Sequence, residues 1–199
     1  PRLKIHRLQH WYFWAAYSLL YIWWIVFTDY KKYFLGRIGE IPLQPMKWTD
    51  HLSFWGFKLI HAGIFIAIPI VFLGWKTWLV GFLVYGLFTG LVLSLVFQLA
   101  HTVEDTAFPE PLPGKQIMEH EWAIRQLQTT ANFATHNRFI SWWVGGLNFH
   151  IEHHLFPRIS HVHYPAISEI IRNACADFNI PYIEHPRMRL AIASHVRHL

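Results

Sequence analysis

Charge is scarce in this sequence. Asp, Glu, Lys and Arg make up only 15% of its 199 residues, where soluble domains carry about 25%. Cysteine is nearly absent: Cys175 stands alone, which excludes an internal disulfide and a disulfide-stapled secreted module. Internal repeats and low-complexity tracts are missing, and strand-like alternation is almost absent. The chain starts at Pro1 with no initiator methionine, signal peptide or targeting segment, so it reads as a piece of a longer protein. Apolar residues reach 53%, which excludes disorder and a collagen-like fibre. They come in runs too long for the core of a soluble globule. Aromatics are abundant, with 11 Trp, 16 Phe and 8 Tyr, and Lys plus Arg exceed Asp plus Glu by 17 − 12 = 5. A weakly basic, Trp-rich, apolar chain suits a membrane partner and not a nucleic acid. Histidine is the anomaly, at 15 residues.

Residues 78–100 form 23 positions without a charge; at 1.5 Å per helical residue they cover about 34 Å, against a hydrocarbon core of about 30 Å. Residues 54–73 make a second span, with Lys58 near one end, where it can snorkel to the headgroups, His61 in its second turn and Pro69 as a kink. The short link Gly74-Trp75-Lys76 makes the two a transmembrane hairpin. Residues 11–28 are rich in Trp and Tyr and have basic flanks on both sides. A single crossing would put one basic flank on the wrong side, so an interfacial or re-entrant helix is favoured over a full span. Both hairpin ends, and everything after His101, then face the cytoplasm.

Beyond His101 the chain turns polar. Residues 108–114, rich in proline, exclude helix and central strand. Amphipathic helix is expected over 119–137, a short helix broken by Gly145-Gly146 over 142–154, a helix over 166–178 opened by Pro165, and a last helix over 186–198. The fold class expected is therefore an all-α membrane protein: a transmembrane hairpin and an interfacial helix within 1–100, and a cytoplasmic helical region over 101–199.

The sharpest chemical feature is His150-Ile151-Glu152-His153-His154. Positions i, i+3 and i+4 share one helix face, and three imidazoles on one face suit Fe, Zn, Cu or Ni. His101 ends the longest apolar run, where the cluster can meet it. His101, His150, His153 and His154 are the candidate metal ligands. Glu104 and Asp105 suit a solvated or outer role. Glu152 points away from the ligand face and can orient a neighbour. Gln128 and Asn132, at i and i+4, can bond each other. His61 is a hydrogen-bonded core residue or a substrate-tunnel residue, and His161 and His163 orient the ligands or sit in an ordinary loop. His120, His136, His185, His195 and His198 read as surface, and Cys175 as core.

The run Asn148-Phe149-His150-Ile151-Glu152-His153-His154-Leu155-Phe156-Pro157 resembles the third histidine box of the membrane fatty-acid desaturases. The resemblance extends in order through Phe97-Gln98-Leu99-Ala100-His101, residues 122–133, Trp142-Trp143-Val144-Gly145-Gly146-Leu147 and residues 159–165, and covers most of the chain from about His6. It implies a C-terminal portion of a desaturase with two irons in the complete protein. His150, His153 and His154 match the third box, and His101 matches an extra histidine near the end of the last transmembrane helix. The first two boxes would lie upstream. His6 and His10 have the spacing of a first box but precede an aromatic apolar segment, as residues after the second box do, so an interfacial or outer role is favoured. Many front-end members carry glutamine where this chain has His150, so the box assigns no double-bond position. The resemblance further implies an acyl-CoA or acyl-lipid substrate, O2, and an external electron donor of cytochrome b5 or ferredoxin type. The isolated 199-residue chain is expected to be inactive. A fatty-acid hydroxylase with a similar centre is the nearest alternative, and a helical membrane haem protein a more distant one.

Overall fold

The computed structural model describes residues 4–108 and 121–199. The expected loop over 108–114, the start of the expected helix at 119 and His120 fall largely outside them. The chain divides into two compact units, residues 14–94 and residues 1–13 with 95–199.

In the first unit, helix runs further than hydropathy alone suggests. α1 (Gln9–Ser18), α2 (Leu20–Trp23), a π-helical turn at Trp24–Thr28 and α3 (Asp29–Leu35) follow one another with a single interruption at Leu19. Gly36, at φ 59°, ends the run with a left-handed cap that few side chains adopt. A short antiparallel pair, β1 (Arg37–Ile38) and β2 (Ile41–Pro42), turns the chain. α4 (Trp48–Ala62) and α5 (Ile68–Leu73) are joined through a second π-helical turn, Gly63–Ala67. Pro69 has no N–H to offer the carbonyl four residues back and its ring crowds that carbonyl, so the helix widens there. The freed Phe65 carbonyl accepts from the Trp78 indole N–H at 2.8 Å. Gly74 alone separates α5 from α6 (Trp75–His101). Two helices, Trp48–Leu73 and Trp75–His101, are long and apolar enough to cross a membrane. Lys58 does not reach outward alone: its ammonium pairs with Asp29 at 2.7 Å and lies 5.0 Å from the centre of the Tyr30 ring. His61 stacks on Phe65 at 4.8 Å.

On α6, Gly86, Gly90 and Ser94 repeat every four residues and share one face. They receive the segment 17–22. The Ser94 hydroxyl donates to the Tyr17 carbonyl at 3.1 Å, and a Cβ built on Gly90 would lie 2.8 Å from the Ser18 carbonyl carbon. Small residues let the two backbones touch.

The second unit is built around the last turns of α6. Val96, Leu99 and Ala100 are buried with Phe133, Ala134 and Ala191. α7 (Trp122–Gln128) is much shorter than the helix expected to reach residue 137. Thr129 closes it, and β3 (Asn132–Phe133) follows. α8 (Arg138–Trp143) is capped by the Asn137 side chain, which accepts from the Ile140 N–H at 3.1 Å. Gly145 and Gly146, at φ 61° and 77°, make the break the sequence suggested. α9 (His150–Leu155) carries the histidines, and α10 (Tyr164–Asp177) has Pro165 in its first turn. β4 (Glu184–His185) pairs in parallel with β3, Asn132 facing Glu184. α11 (Met188–His198) ends the chain. Behind α9, Ile151 packs with Leu127, Ile171 and Cys175, the lone cysteine in a core role. His195 is a correction to the sequence reading: it is fully buried, with its Nδ1 at 2.6 Å from the Thr102 carbonyl.

Candidate metal centre

Two elements deliver the histidines. α6 ends at His101, and α9 presents His150, His153 and His154 from one face. At 100° per residue these three fall within an arc of about 100°, while Ile151 and Glu152 turn to the other side. His101, His150 and His154 each offer a ring nitrogen, and those atoms lie within 4.8 Å of one another. The His101 ring stands 4.8 Å from that of His150 and 4.9 Å from that of His154, centre to centre. His153 is close, at 5.4 Å from His150 and 5.8 Å from His154, but is not one of the three. His6 and His10 are not among them either, and His6 is exposed.

Each of the three rings has its Nδ1 occupied by an oxygen that only accepts. His101 faces the Thr129 carbonyl at 3.1 Å, His150 the Leu147 carbonyl at 2.9 Å, and His154 the Gln126 amide oxygen at 2.7 Å. A carbonyl oxygen has no proton to give, so Nδ1 must carry it, and the lone pair sits on Nε2. Three ring nitrogens with free lone pairs, held within 4.8 Å of one another, suit a cation. Burial, the largest influence, pulls His150 down to about 3 and His154 down to about 4. The neighbouring imidazoles push in the same direction, and the Leu147 bond opposes them at His150. Both rings are therefore neutral near pH 7, the form that binds metal. The donor set fits a transition-metal ion.

Glu152 is fully buried behind the cluster. Its carboxylate accepts from Asn132 Nδ2 at 2.8 Å and from the Tyr182 hydroxyl at 3.0 Å. Burial raises its pKa, and those two bonds lower it. The expected Gln128–Asn132 bond is not formed, because α7 stops at Gln128 and Asn132 turns to Glu152. The Tyr164 hydroxyl lies 3.4 Å from His153 Nδ1. Glu104 pairs with Arg197 at 2.7 Å and stays outside the cluster. Sequence reasoning did not single out Gln126, Thr129 or Leu147. Two of these act through backbone carbonyls, which leave no trace in residue identity.

The family model for fatty acid desaturases matches residues 1–186. The chain belongs to that family. Among curated proteins, it is 36% identical to an sn-1 linoleoyl-lipid 6-desaturase of Synechocystis sp. over 98% of this chain and 55% of the relative. It is 37% identical to an acyl-lipid (8-3)-desaturase of Physcomitrium patens over 100% of this chain and 42% of the relative. A third relative, the sn-1 linoleoyl-lipid 6-desaturase of Arthrospira platensis, is 34% identical over 95% of this chain and 51% of its own length. The chain thus spans about half the length of the curated desaturases it matches. No solved structure matches it.

Proposed function

We propose that this chain is the part of an acyl-lipid desaturase that carries the third histidine box and one face of a two-iron centre. His101, His150, His153 and His154 are the ligands it contributes. The observation that carries the reading is the convergence of three Nε2 lone pairs, each ring locked by an acceptor on its Nδ1. His153, on the same face but outside the trio, suits a ligand to a neighbouring second metal. Bound iron supplies the O2-derived oxidant that removal of hydrogens from an unactivated methylene chain requires. The chain's own groups keep His150 and His154 neutral by burial and fix the orientation of three rings through Thr129, Leu147 and Gln126.

The names of the relatives favour an acyl-lipid over an acyl-CoA. An external electron donor of cytochrome b5 or ferredoxin type completes the reaction. In this reading residues 1–100 are membrane-associated and 101–199 form the cytoplasmic region of one desaturase domain. Trp48–Leu73 and Trp75–His101 make the transmembrane hairpin, and residues 11–28 lie in the interface. No observation favours hydroxylation. The haem alternative calls for single, opposed histidines, whereas here three imidazoles crowd one point.

The test is His154→Ala against His136→Ala, an exposed control, in the full-length protein. Cells expressing the first should lose the new olefin, and the purified protein most of its iron; the second should match wild type. Full desaturation by His154→Ala would refute the metal assignment.

A further inference from the structure

A helix of six residues cannot hold its own orientation. Helices shorter than about 12 residues are marginal in water, and α9 has no side-chain cap at Phe149. Its aim nevertheless has to be fine. A nitrogen about 5.5 Å from a helix axis moves about 1 Å for a rotation of about 10°, and productive sites tolerate about 0.5 Å.

We propose that Asn132 and Tyr182 are positioning residues that grip Glu152 and the start of α9, and thereby set the rotation at which its histidines meet their metal. The proposal rests on the metal-centre reading above. Glu152 projects from the side of α9 opposite the histidines, and no Lys or Arg among the described residues pairs with it. A buried carboxylate without a cation is costly, and an apolar side chain would fill the space more cheaply. What the carboxylate adds is direction. It accepts from Asn132 and from Tyr182. Asn132 is used in full: Nδ2 also donates to the Tyr182 oxygen at 2.7 Å, and Oδ1 accepts from the Ile151 N–H at 2.9 Å. That N–H is in the first turn of α9, where no intrahelical partner exists, so Asn132 caps the helix from 19 residues away. The single proton of Tyr182 goes to Glu152. Ser168, 2.8 Å from the Tyr182 oxygen, must therefore donate.

The grip thus joins α9 to three separate elements. Asn132 sits in β3, Ser168 in α10, and Tyr182 two residues before the β4 strand that pairs with Asn132. None of the four is a candidate ligand. Their effect reaches the histidines only through the helix.

The experiment uses the full-length protein in detergent, loaded with ferrous iron. Iron per chain, release to a chelator, the Mössbauer spectrum and thermal unfolding are measured for Tyr182→Phe, Glu152→Gln, Glu152→Leu and Cys175→Ala. Outer-shell partners typically govern 10–100-fold in metal affinity. Tyr182→Phe and Glu152→Leu should fold, hold iron at least about tenfold more weakly and shift the quadrupole splitting. Glu152→Gln, which still accepts from Asn132, should recover most of the affinity. Cys175→Ala loosens the same apolar cluster behind Ile151 and should lower the melting temperature without moving the spectrum. Wild-type affinity and spectrum in folded Tyr182→Phe and Glu152→Leu would overturn the proposal. So would an equal spectral shift in Cys175→Ala, which would mean general loosening. If Glu152→Leu fails to fold, Tyr182→Phe decides alone. A wild-type protein that binds no iron would overturn the metal-centre reading itself, a result separate from either.

Discussion

Replacing Gly90 by alanine tests how α6 and the segment 17–22 are held together. A Cβ at this position would stand 2.8 Å from the Ser18 carbonyl carbon and 3.1 Å from the Tyr17 oxygen, and closer still to the Ser18 oxygen. These are backbone atoms and cannot swing aside. The helices must therefore part, and the Ser94–Tyr17 hydrogen bond of 3.1 Å, one turn further along the same face, parts with them. Overpacking of this kind costs about 1–3 kcal/mol, and an interhelical hydrogen bond in a membrane is worth about 0.6 kcal/mol. Against this stands a helix-propensity gain of up to about 1 kcal/mol for Gly→Ala. A net loss of about 2 kcal/mol would lower the melting temperature by about 4–8 °C in a chain of this size. Gly86→Ala should cost less, because its new Cβ meets the Ile22 side chain at 3.0 Å, and a side chain can rotate. Gly81→Ala meets nothing within 4 Å and should be neutral or slightly stabilising. Thermal unfolding in detergent, followed by loss of the monodisperse size-exclusion peak, measures the series. If Gly90→Ala melts with wild type, or Gly81→Ala melts lowest, the close-approach argument is wrong.

Gln126→Leu removes the acceptor on His154 Nδ1 and frees the ring to change tautomer, so metal affinity should fall about 10–100-fold, while Gln126→Glu should retain it; competition against a chelator separates the two. Acid should destabilise the second unit in a defined window. Burial, stronger than the Thr102 bond that opposes it, holds His195 below its ordinary pKa of 6.5, and His185 is lowered for the same main reason. An unfolded chain binds protons below pH 6.5 that the folded chain refuses, so stability is full above that pH and declines beneath it, by up to about 1.4 kcal/mol per pH unit for the fully buried His195 and by less for the half-buried His185, which solvent screens. His195→Gln should flatten the decline in melting temperature between pH 7.5 and 5.5, as its amide can still donate to Thr102; an unchanged slope would remove His195 from the account.

The parts of the molecule legible in the sequence are those set by local pattern. Residues 78–100 announced their helix by the absence of charge, and His150, His153 and His154 announced a shared face by spacing alone. The break at Gly145-Gly146 and the start of α10 at Pro165 were likewise encoded by residues whose backbone preferences are strong. The misreadings share a different cause. A helix to residue 137 followed from amphipathic spacing, yet Asn132 and Phe133 pair with residues 52 positions later. That partner cannot be seen from within the segment. His195 lies on a helix of low hydropathy and looked exposed. Its burial depends on a carbonyl 93 residues away.

The end of α6 shows why distant segments were drawn to this place. The last carbonyls of any helix lack intrahelical donors, and here they emerge where an apolar span gives way to polar chain. Those of Gln98, Ala100 and His101 find donors. The Gln98 carbonyl takes the Thr102 N–H at 2.8 Å, Ala100 the Ala131 N–H at 2.8 Å, and His101 the Thr106 hydroxyl at 2.9 Å. Thr102, just past the helix, takes His195 at 2.6 Å. The bond from Ala131 fixes the chain immediately before Asn132 and two residues after Thr129, whose carbonyl orients His101. A single backbone requirement at the end of a membrane-length helix therefore places both the partner of one candidate ligand and the residue that grips the helix carrying the other three. The histidines are legible because their spacing is local. Their convergence is enforced by carbonyls, which every sequence contains and none displays.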